Sequence, residues 1–476
     1  MQLVKSITPK KIKRLRYSCG LVLGLLFTGL NPVSAQDNSP YSRYGLGDLV
    51  PSTNVTNRSL GGIAAGYSDF LSINYSNPAS YSTFQSYVEA KSKKMNSGRA
   101  LFDVGMNFEN RTLREPSKST KFTASNALFS HVMVGVPLKA NWGLSFGLRP
   151  ISRISYDIYK NERLFDPLTG LPIDSANTRY TGDGGTFLAS MGTGFSVFRK
   201  VMKSAEDREQ QLSFGFNFGY LFGTKDYSTR RTLINDTVQY RAANYETKTN
   251  FGNIHFDVGF QYRLPIKNLL LLTVGGFGNW QQNLNATQDR IRETFIFDDN
   301  QGNVRVDSVS DIRNIKGKVI LPANITVGFT LQKLVVVNKS GGWLFGIDYS
   351  RQNWSNYRFY GQSDSVQNKW EIRAGAQISP APKRTYWSYV NYRFGVFAGP
   401  DYIKFQNKLS TYGASFGLGL PIIGRNASAG NQTTRVNLGF EYGKRGNNTN
   451  LLKENNFRFS IGLSLSDAWF IKRKYD

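Results

Sequence analysis

The sequence holds few of the residues that usually carry chemistry. Among 476 residues there is one cysteine, Cys19, and there are two histidines, His131 and His255. A single cysteine excludes a disulfide framework, and so few soft or imidazole ligands, at these spacings, exclude a histidine- or thiolate-based metal site. No apolar run reaches the ~20 residues of a membrane-spanning helix. Mean hydropathy is −0.37. The G-x-G patterns at Gly215–Gly219 and Gly417–Gly419 sit opposite large aromatics and are followed by no helix, which excludes phosphate-binding loops. Acidic residues are scarce as well, 33 against 59 Lys and Arg, so the formal charge is +26.

Aromatics and glycine are abundant, with 33 Phe, 25 Tyr, 7 Trp and 46 Gly. They fall into a two-residue rhythm, most clearly from Asn456 to Leu465. There Phe457, Phe459, Ile461, Leu463 and Leu465 take one face, and Arg458, Ser460, Gly462 and Ser464 take the other. A chain that is hydrophilic on average yet aromatic on every second strand position suits a barrel whose outside meets lipid.

Residues 1–35 read as a cleaved signal peptide. A basic start (Lys5, Lys10, Lys11, Lys13, Arg14, Arg16) precedes an apolar run from Cys19 to Leu30, and Val33-Ser34-Ala35 offers a small-residue cleavage site. Removing those six cations from +26 leaves +20 for a mature chain without cysteine. A secreted basic chain rarely meets nucleic acid. Outer-membrane lipid and lipopolysaccharide phosphates are the expected counter-charges.

The rhythm recurs in fourteen segments, from Leu101–Leu113 to the strand above, which predicts an all-β fold: a 14-stranded antiparallel transmembrane β-barrel spanning 99–476. An even count returns both ends to the periplasm. Connections at Lys139–Asn141, Pro265–Lys267 and Pro380–Lys383 read as short periplasmic turns. Those at Tyr159–Arg179, Asp226–Tyr245 and Gln288–Arg313 read as long extracellular loops. Trp280, Trp354, Trp387 and Tyr412 fit interfacial girdles.

Residues 36–98 lack the alternation and read as a compact hatch inside the barrel. Its Arg58, Leu60, Gly61 and Gly62 (R-x-L-G-G), then Asp69, then Asn77-Pro78-Ala79 before the first strand, resemble the hatch of the FadL family of outer-membrane transporters. The opening S-P-Y-S-R-Y-G-L-G-D (Ser39–Asp48) and the ending W-F-I-K-R-K-Y-D (Trp469–Asp476) resemble the branch found in Bacteroidetes, which includes an accessory barrel of type IX secretion. The resemblance implies fourteen strands, a hydrophobic small-molecule ligand of fatty-acid type, and lateral exit at a kinked third strand. Arg149, Pro150 and Ile151 stand there, and proline cannot donate to the ladder.

The polar face of the strands should line the lumen. It brings together Asp103, Glu109, His131, His255, Asp257, Asp348, Glu371, Arg373, Arg393, Glu441 and Arg458, as paired charges that grip the hatch or border a substrate path. Both histidines share this face, the wrong one for a lipid-facing hydrolase. No catalytic constellation, metal site or cofactor is expected. Two functions fit: a channel for hydrophobic compounds, or a non-transporting accessory subunit of an outer-membrane assembly, such as type IX secretion, that binds other proteins there. An apolar pocket below the loops would favour the first, a plugged lumen the second.

Overall fold

The structure, a computed structural model, describes residues 39–88, 95–201, 209–235, 238, 240–267, 269–298, 302–336, 339–405, 407–422 and 432–469. The expected signal peptide and residues 470–476 of the ending motif lie outside these. Fourteen antiparallel strands close a barrel. The first six are Met95–Arg114, Lys121–Lys139, Trp142–Phe165, Pro172–Val201, Glu209–Ile234 and Ala242–Lys267. The seventh is Leu270–Asn279 continued by Gln282–Asp298, the eighth Gly302–Leu321 continued by Asn324–Lys333, and the ninth Gly342–Gln352 continued by Arg358–Phe359. Lys369–Ser379, Asn391–Phe405, Asn407–Ile422, Gln432–Arg445 and Lys453–Trp469 complete the wall. The last strand pairs with the first, Phe459 opposite Phe108 and Arg458 opposite Glu109, which closes the cylinder.

Alternation decides which face meets what. Met106, Phe216 and Ile325 are 45%, 47% and 57% exposed, as side chains in contact with lipid must be. Phe394, Phe416, Phe440, Phe459 and Phe108 form a ring ladder across five adjacent strands, with neighbouring centroids 5.0 to 6.4 Å apart. Their neighbours in sequence point inward. Asp103, His131, Asp348 and Arg393 are buried.

Several details correct the reading from sequence. The segments taken as long loops remain in the ladder: Asn161 pairs with Asn177, Thr229 with Tyr245 and Arg292 with Ser310. Strands of 24 to 30 residues there far exceed the ~10 needed to cross. Beyond the bilayer both faces are wet, so the apolar period vanishes while pairing continues. The connection at residues 380–390 is not a short turn, since it carries a 3-10 turn at Tyr386–Tyr389. A bulge at Ser130 puts Leu128 opposite Asn107 and hence on the lumen side, not outside. The interruption at Pro322 does the same to Leu321, which is buried in an interior cluster with Val319. Trp354 lies in that cluster as well, its ring 4.3 Å from that of Tyr402, and is no girdle residue.

The hatch fills the barrel with little regular structure. It has a 3-10 turn at Pro40–Arg43, a two-residue strand Asp48–Leu49, one helical turn Val55–Arg58 capped by Asn54, and a 3-10 turn Pro78–Thr83. The first barrel strand starts at Met95, inside the span expected for the hatch.

Candidate functional site in the plugged lumen

An irregular segment buried in a barrel has backbone donors and acceptors that no ladder satisfies, so the wall must supply partners. It does so along the whole hatch. Asp348 accepts from Ala64 N (2.6 Å) and Ala65 N (2.9 Å), and Asp103 accepts from Ile73 N (3.0 Å). Ser415 accepts from Gly61 N, while Thr330 donates to Gly66 O, Gln261 to Ala65 O and Tyr67 O, and Asn217 to Tyr75 O. The lumen is wired to the plug.

The motif residues explain their own identities. Gly61 and Gly62 have φ of +69° and +89°, and a Cβ on Gly61 would lie 2.7 Å from Ala374 O of the wall. Asn77 caps the turn that begins at Pro78, accepting from Ala79 N while donating to Ala65 O and Phe260 O. Leu60 and Ile63 are fully buried and cluster with Tyr67 and Leu344. Arg58 ion-pairs with Glu441, and Asp69 with Arg435 at 2.5 Å. Burial acts to raise the Asp69 carboxyl, but the Arg435 and Arg393 charges override it and hold it below the usual carboxylate range.

The other lumen residues chosen from sequence fall into pairs. Glu109 and Arg458 are 2.5 Å apart, Arg458 and Glu441 2.7 Å, Glu371 and Arg373 2.5 Å, and His255 and Asp257 2.9 Å. Arg373 also reaches Gly62 O, and the wholly buried Arg393 bonds Gln377 and Asn437. Ser130 Oγ lies 3.1 Å from His131 Nδ1, whose Nε2 is 3.4 Å from Asp103. That serine, histidine and aspartate sequence is sealed: His131 has no exposure, and the Tyr75 ring covers it at 5.4 Å. Among the described residues no group of three His, Cys, Asp or Glu could hold a metal ion.

Sequence reasoning missed the second anchor. Asp48 pairs with Arg111 at 2.6 Å and with Arg445 at 2.9 Å, and Arg445 also meets Asp401 and Glu454. Burial acts against the charge on Asp48, yet these two guanidiniums hold its carboxyl well below the usual range. Lys225 donates to Gly45 O at 2.8 Å from the opposite wall. Extending the lumen parity by one step from Glu109 and by two steps from Glu441 and Arg458 would have reached Arg111, Arg445 and Glu454. Between the two anchors lies a cavity of about 190 Å³, lined by charged side chains including Arg58, Glu371 and Glu441.

Near Pro150 the wall changes partner. The second and third strands pair only from Lys139–Trp142 to Val132–Leu148. Ile151 is bulged out of the third strand's other ladder, between Pro150–Phe187 and Ser152–Thr186. Above Leu148 the vacated edge takes the hatch instead: Leu49 pairs with Ser152 and Asp48 with Arg153, and Val50 N donates to Ile151 O. Arg149 turns inward over the Tyr75 ring, 5.2 Å away.

Comparison with solved structures finds similarity at low identity and with TM-scores below 0.5. The monoaromatic hydrocarbon channel CymD is 13% identical with a TM-score of 0.48, covering 89% of this chain and 98% of its own. A FadL homologue of Pseudomonas aeruginosa is 11% identical with a TM-score of 0.48, covering 90% and 100%. The toluene transporter TbuX of Ralstonia pickettii is 12% identical with a TM-score of 0.44, covering 88% and 99%. No curated protein matches the sequence. The family model of BamG matches residues 12–476, hatch and wall together, and the chain belongs to the BamG family.

Proposed function

We propose that this chain is an outer-membrane barrel acting as a plugged platform, an accessory subunit of an outer-membrane protein assembly. One observation carries the reading: Asp348, Asp103, Glu441 and Arg435 of the wall are spent on hatch backbone and hatch charges, and other charged lumen residues pair among themselves. The cavity between the two anchors is lined by ion-paired side chains, and a hydrophobic compound would displace the water that solvates them at a cost of roughly several kcal/mol. A rigid plugged barrel presents long hairpins outside and turns inside, surfaces on which partners dock without a conductive pore. Membership of the BamG family supports such outer-membrane assembly partners.

A second reading, passage of hydrophobic compounds, is favoured by the stretch of wall beside Pro150 that the second strand leaves unpaired, where hatch residues 48–50, with Ser39 and Ser42 at Ser155, edge the third strand. Lateral exit would run through Arg149, Pro150 and Ile151, once the hatch strand left that edge.

The test is affinity purification of the tagged full-length protein from native outer membranes under mild detergent, with tracer uptake into proteoliposomes in parallel. The platform reading expects stoichiometric outer-membrane partners and no uptake above empty vesicles. Uptake of a fatty acid or aromatic tracer by the isolated barrel, with no partner recovered, would replace it with the channel reading.

A further inference from the structure

Three neighbouring strands are interrupted at one height. The seventh breaks at Trp280-Gln281, the eighth at Pro322-Ala323, and the ninth at Asn353, where the 3-10 turn Trp354–Asn356 replaces strand. Asn324 pairs with both Asn279 and Gln352, so the breaks lie side by side. On the outer wall they leave a groove of about 540 Å³, lined by Phe260, Trp280, Ala323, Ile325 and Val327, with Arg351 at its edge. Trp280 and Ile325 are more than half exposed. No described residue covers the groove, which faces hydrocarbon.

The outward row changes chemistry at this line. Down the eighth strand the outward side chains are Lys316, Lys318 and Ile320, then, past Pro322, Ile325, Val327 and Phe329. Up the ninth they are Trp343, Phe345, Ile347 and Tyr349, then Arg351 opposite Ile325 and Arg358 opposite Ile320. The ninth strand thus turns cationic at Arg351, level with Ile325, and the eighth further up at Lys318, both on the side of the long hairpins. Lys316, Lys318 and Arg351 are exposed and join no ion pair among the described residues, while Arg358 donates to the carbonyls of Ser355 and Tyr357.

We propose that this face binds lipid A of lipopolysaccharide, with Lys316, Lys318, Arg351 and Arg358 holding its phosphates and one acyl chain lying in the groove against Trp280. The charge pattern selects the occupant. Four cations, Arg351 at the edge of the apolar slot and Arg358, Lys318 and Lys316 beyond it, match a lipid with two phosphates on several chains, and a single-phosphate phospholipid satisfies fewer of them. Trp280 at the junction has the ring and N–H suited to an interface. The inference shares with the proposed function only the outer-membrane location and the outward orientation of the long hairpins, so failure to recover protein partners leaves it untouched.

The experiment measures retention of lipid A, dephosphorylated lipid A and phosphatidylglycerol by the purified full-length barrel, using native mass spectrometry. It compares the natural chain with the Lys318→Gln/Arg351→Gln double variant and with Ala323→Phe, which narrows the groove. Both altered cations are exposed and unpaired, and heat-dependent electrophoretic mobility verifies that each barrel is folded. The natural chain should hold lipid A about tenfold or more better than either control lipid, and the double variant should lose that advantage. Ala323→Phe should weaken lipid A retention with the cations intact. Equal retention of lipid A and phosphatidylglycerol by the natural chain, or undiminished lipid A retention by the folded double variant, overturns the proposal.

Discussion

Replacing Asp348 with alanine should loosen the hatch while the wall stays closed. The carboxylate is fully buried and accepts from the amides of Ala64 and Ala65, which have no ladder partner. Each buried amide left without an acceptor costs roughly 1 to 3 kcal/mol. Part of that is offset because the variant no longer buries a carboxylate, so a net loss of about 2 to 4 kcal/mol is expected. The assay uses the absence of cysteine after Cys19. Ser72 is 2% exposed, and Ser72→Cys is a near-isosteric probe that a maleimide reaches only when the hatch opens. At about 1.4 kcal/mol per tenfold, labelling should accelerate roughly 30-fold to 1,000-fold in Asp348→Ala. Asp348→Asn, which keeps one acceptor oxygen, should show a markedly smaller effect. Labelling within about threefold of the parent, with unchanged heat-dependent mobility, would refute the idea that this side chain anchors the plug.

Three other outcomes follow from the same geometry. Gly61→Ala forces a left-handed residue to carry a Cβ against the Ala374 carbonyl; about 1 to 2 kcal/mol of backbone strain alone should speed Ser72→Cys labelling by about tenfold. Gln282 bridges a gap in pairing between the sixth and seventh strands, accepting from Phe256 N and donating to Phe256 O. Gln282→Leu should raise amide exchange at Asn253–Asp257 and leave the seam between first and last strands unchanged. Asp48 and Asp69 have folded carboxyls held below their unfolded values near ~4, so their stabilisation is complete above that pH and fades as the pH falls through the folded values. The contribution of these two carboxylates to hatch protection should therefore be flat from about pH 8 to 5 and decline below about 4, read as the difference in protection between the natural chain and the Asp48→Asn/Asp69→Asn variant; a difference that shrinks between pH 7 and 5 would refute it.

The wall was legible because lipid on one side and hatch on the other enforce a strict two-residue period, as Phe457 to Leu465 displays. Legibility failed wherever one of those constraints lapsed. Beyond the bilayer the period disappears, so paired segments such as Asn161–Asn177 looked like loop. At Ser130 and Pro322 one extra or unpaired residue breaks the parity between the two sides of the strand, which misplaced Leu128 and Leu321. Trp354 was misread because an aromatic near a strand end serves an interface or a core equally well by composition. In the hatch, the glycines and Asn77 were recognisable because a positive φ and a capped turn demand particular residues. Asp48 demands nothing local. Its partners Arg111 and Arg445 are remote in sequence, and only the closed cylinder brings them together.

The charge inside this barrel therefore follows from the irregularity of its plug. A hatch made of strand would have satisfied its own amides against the wall, as residues 48–49 do against the third strand. Most of this hatch is turn and coil, so carboxylates, amides and hydroxyls of the wall must reach it one bond at a time, and each buried carboxylate then calls for a guanidinium nearby. Asp69 with Arg435, Asp48 with Arg111 and Arg445, and Arg58 with Glu441 meet that demand. Small wall residues permit it: a Cβ on Gly375 would lie 2.3 Å from Leu60 O, and one on Gly143 2.2 Å from Tyr81 O. Wall and plug are shaped to each other at backbone range, so displacing the hatch means breaking many short bonds together. A passage built for frequent opening would place that cost on few contacts; here it is spread over most of the strands.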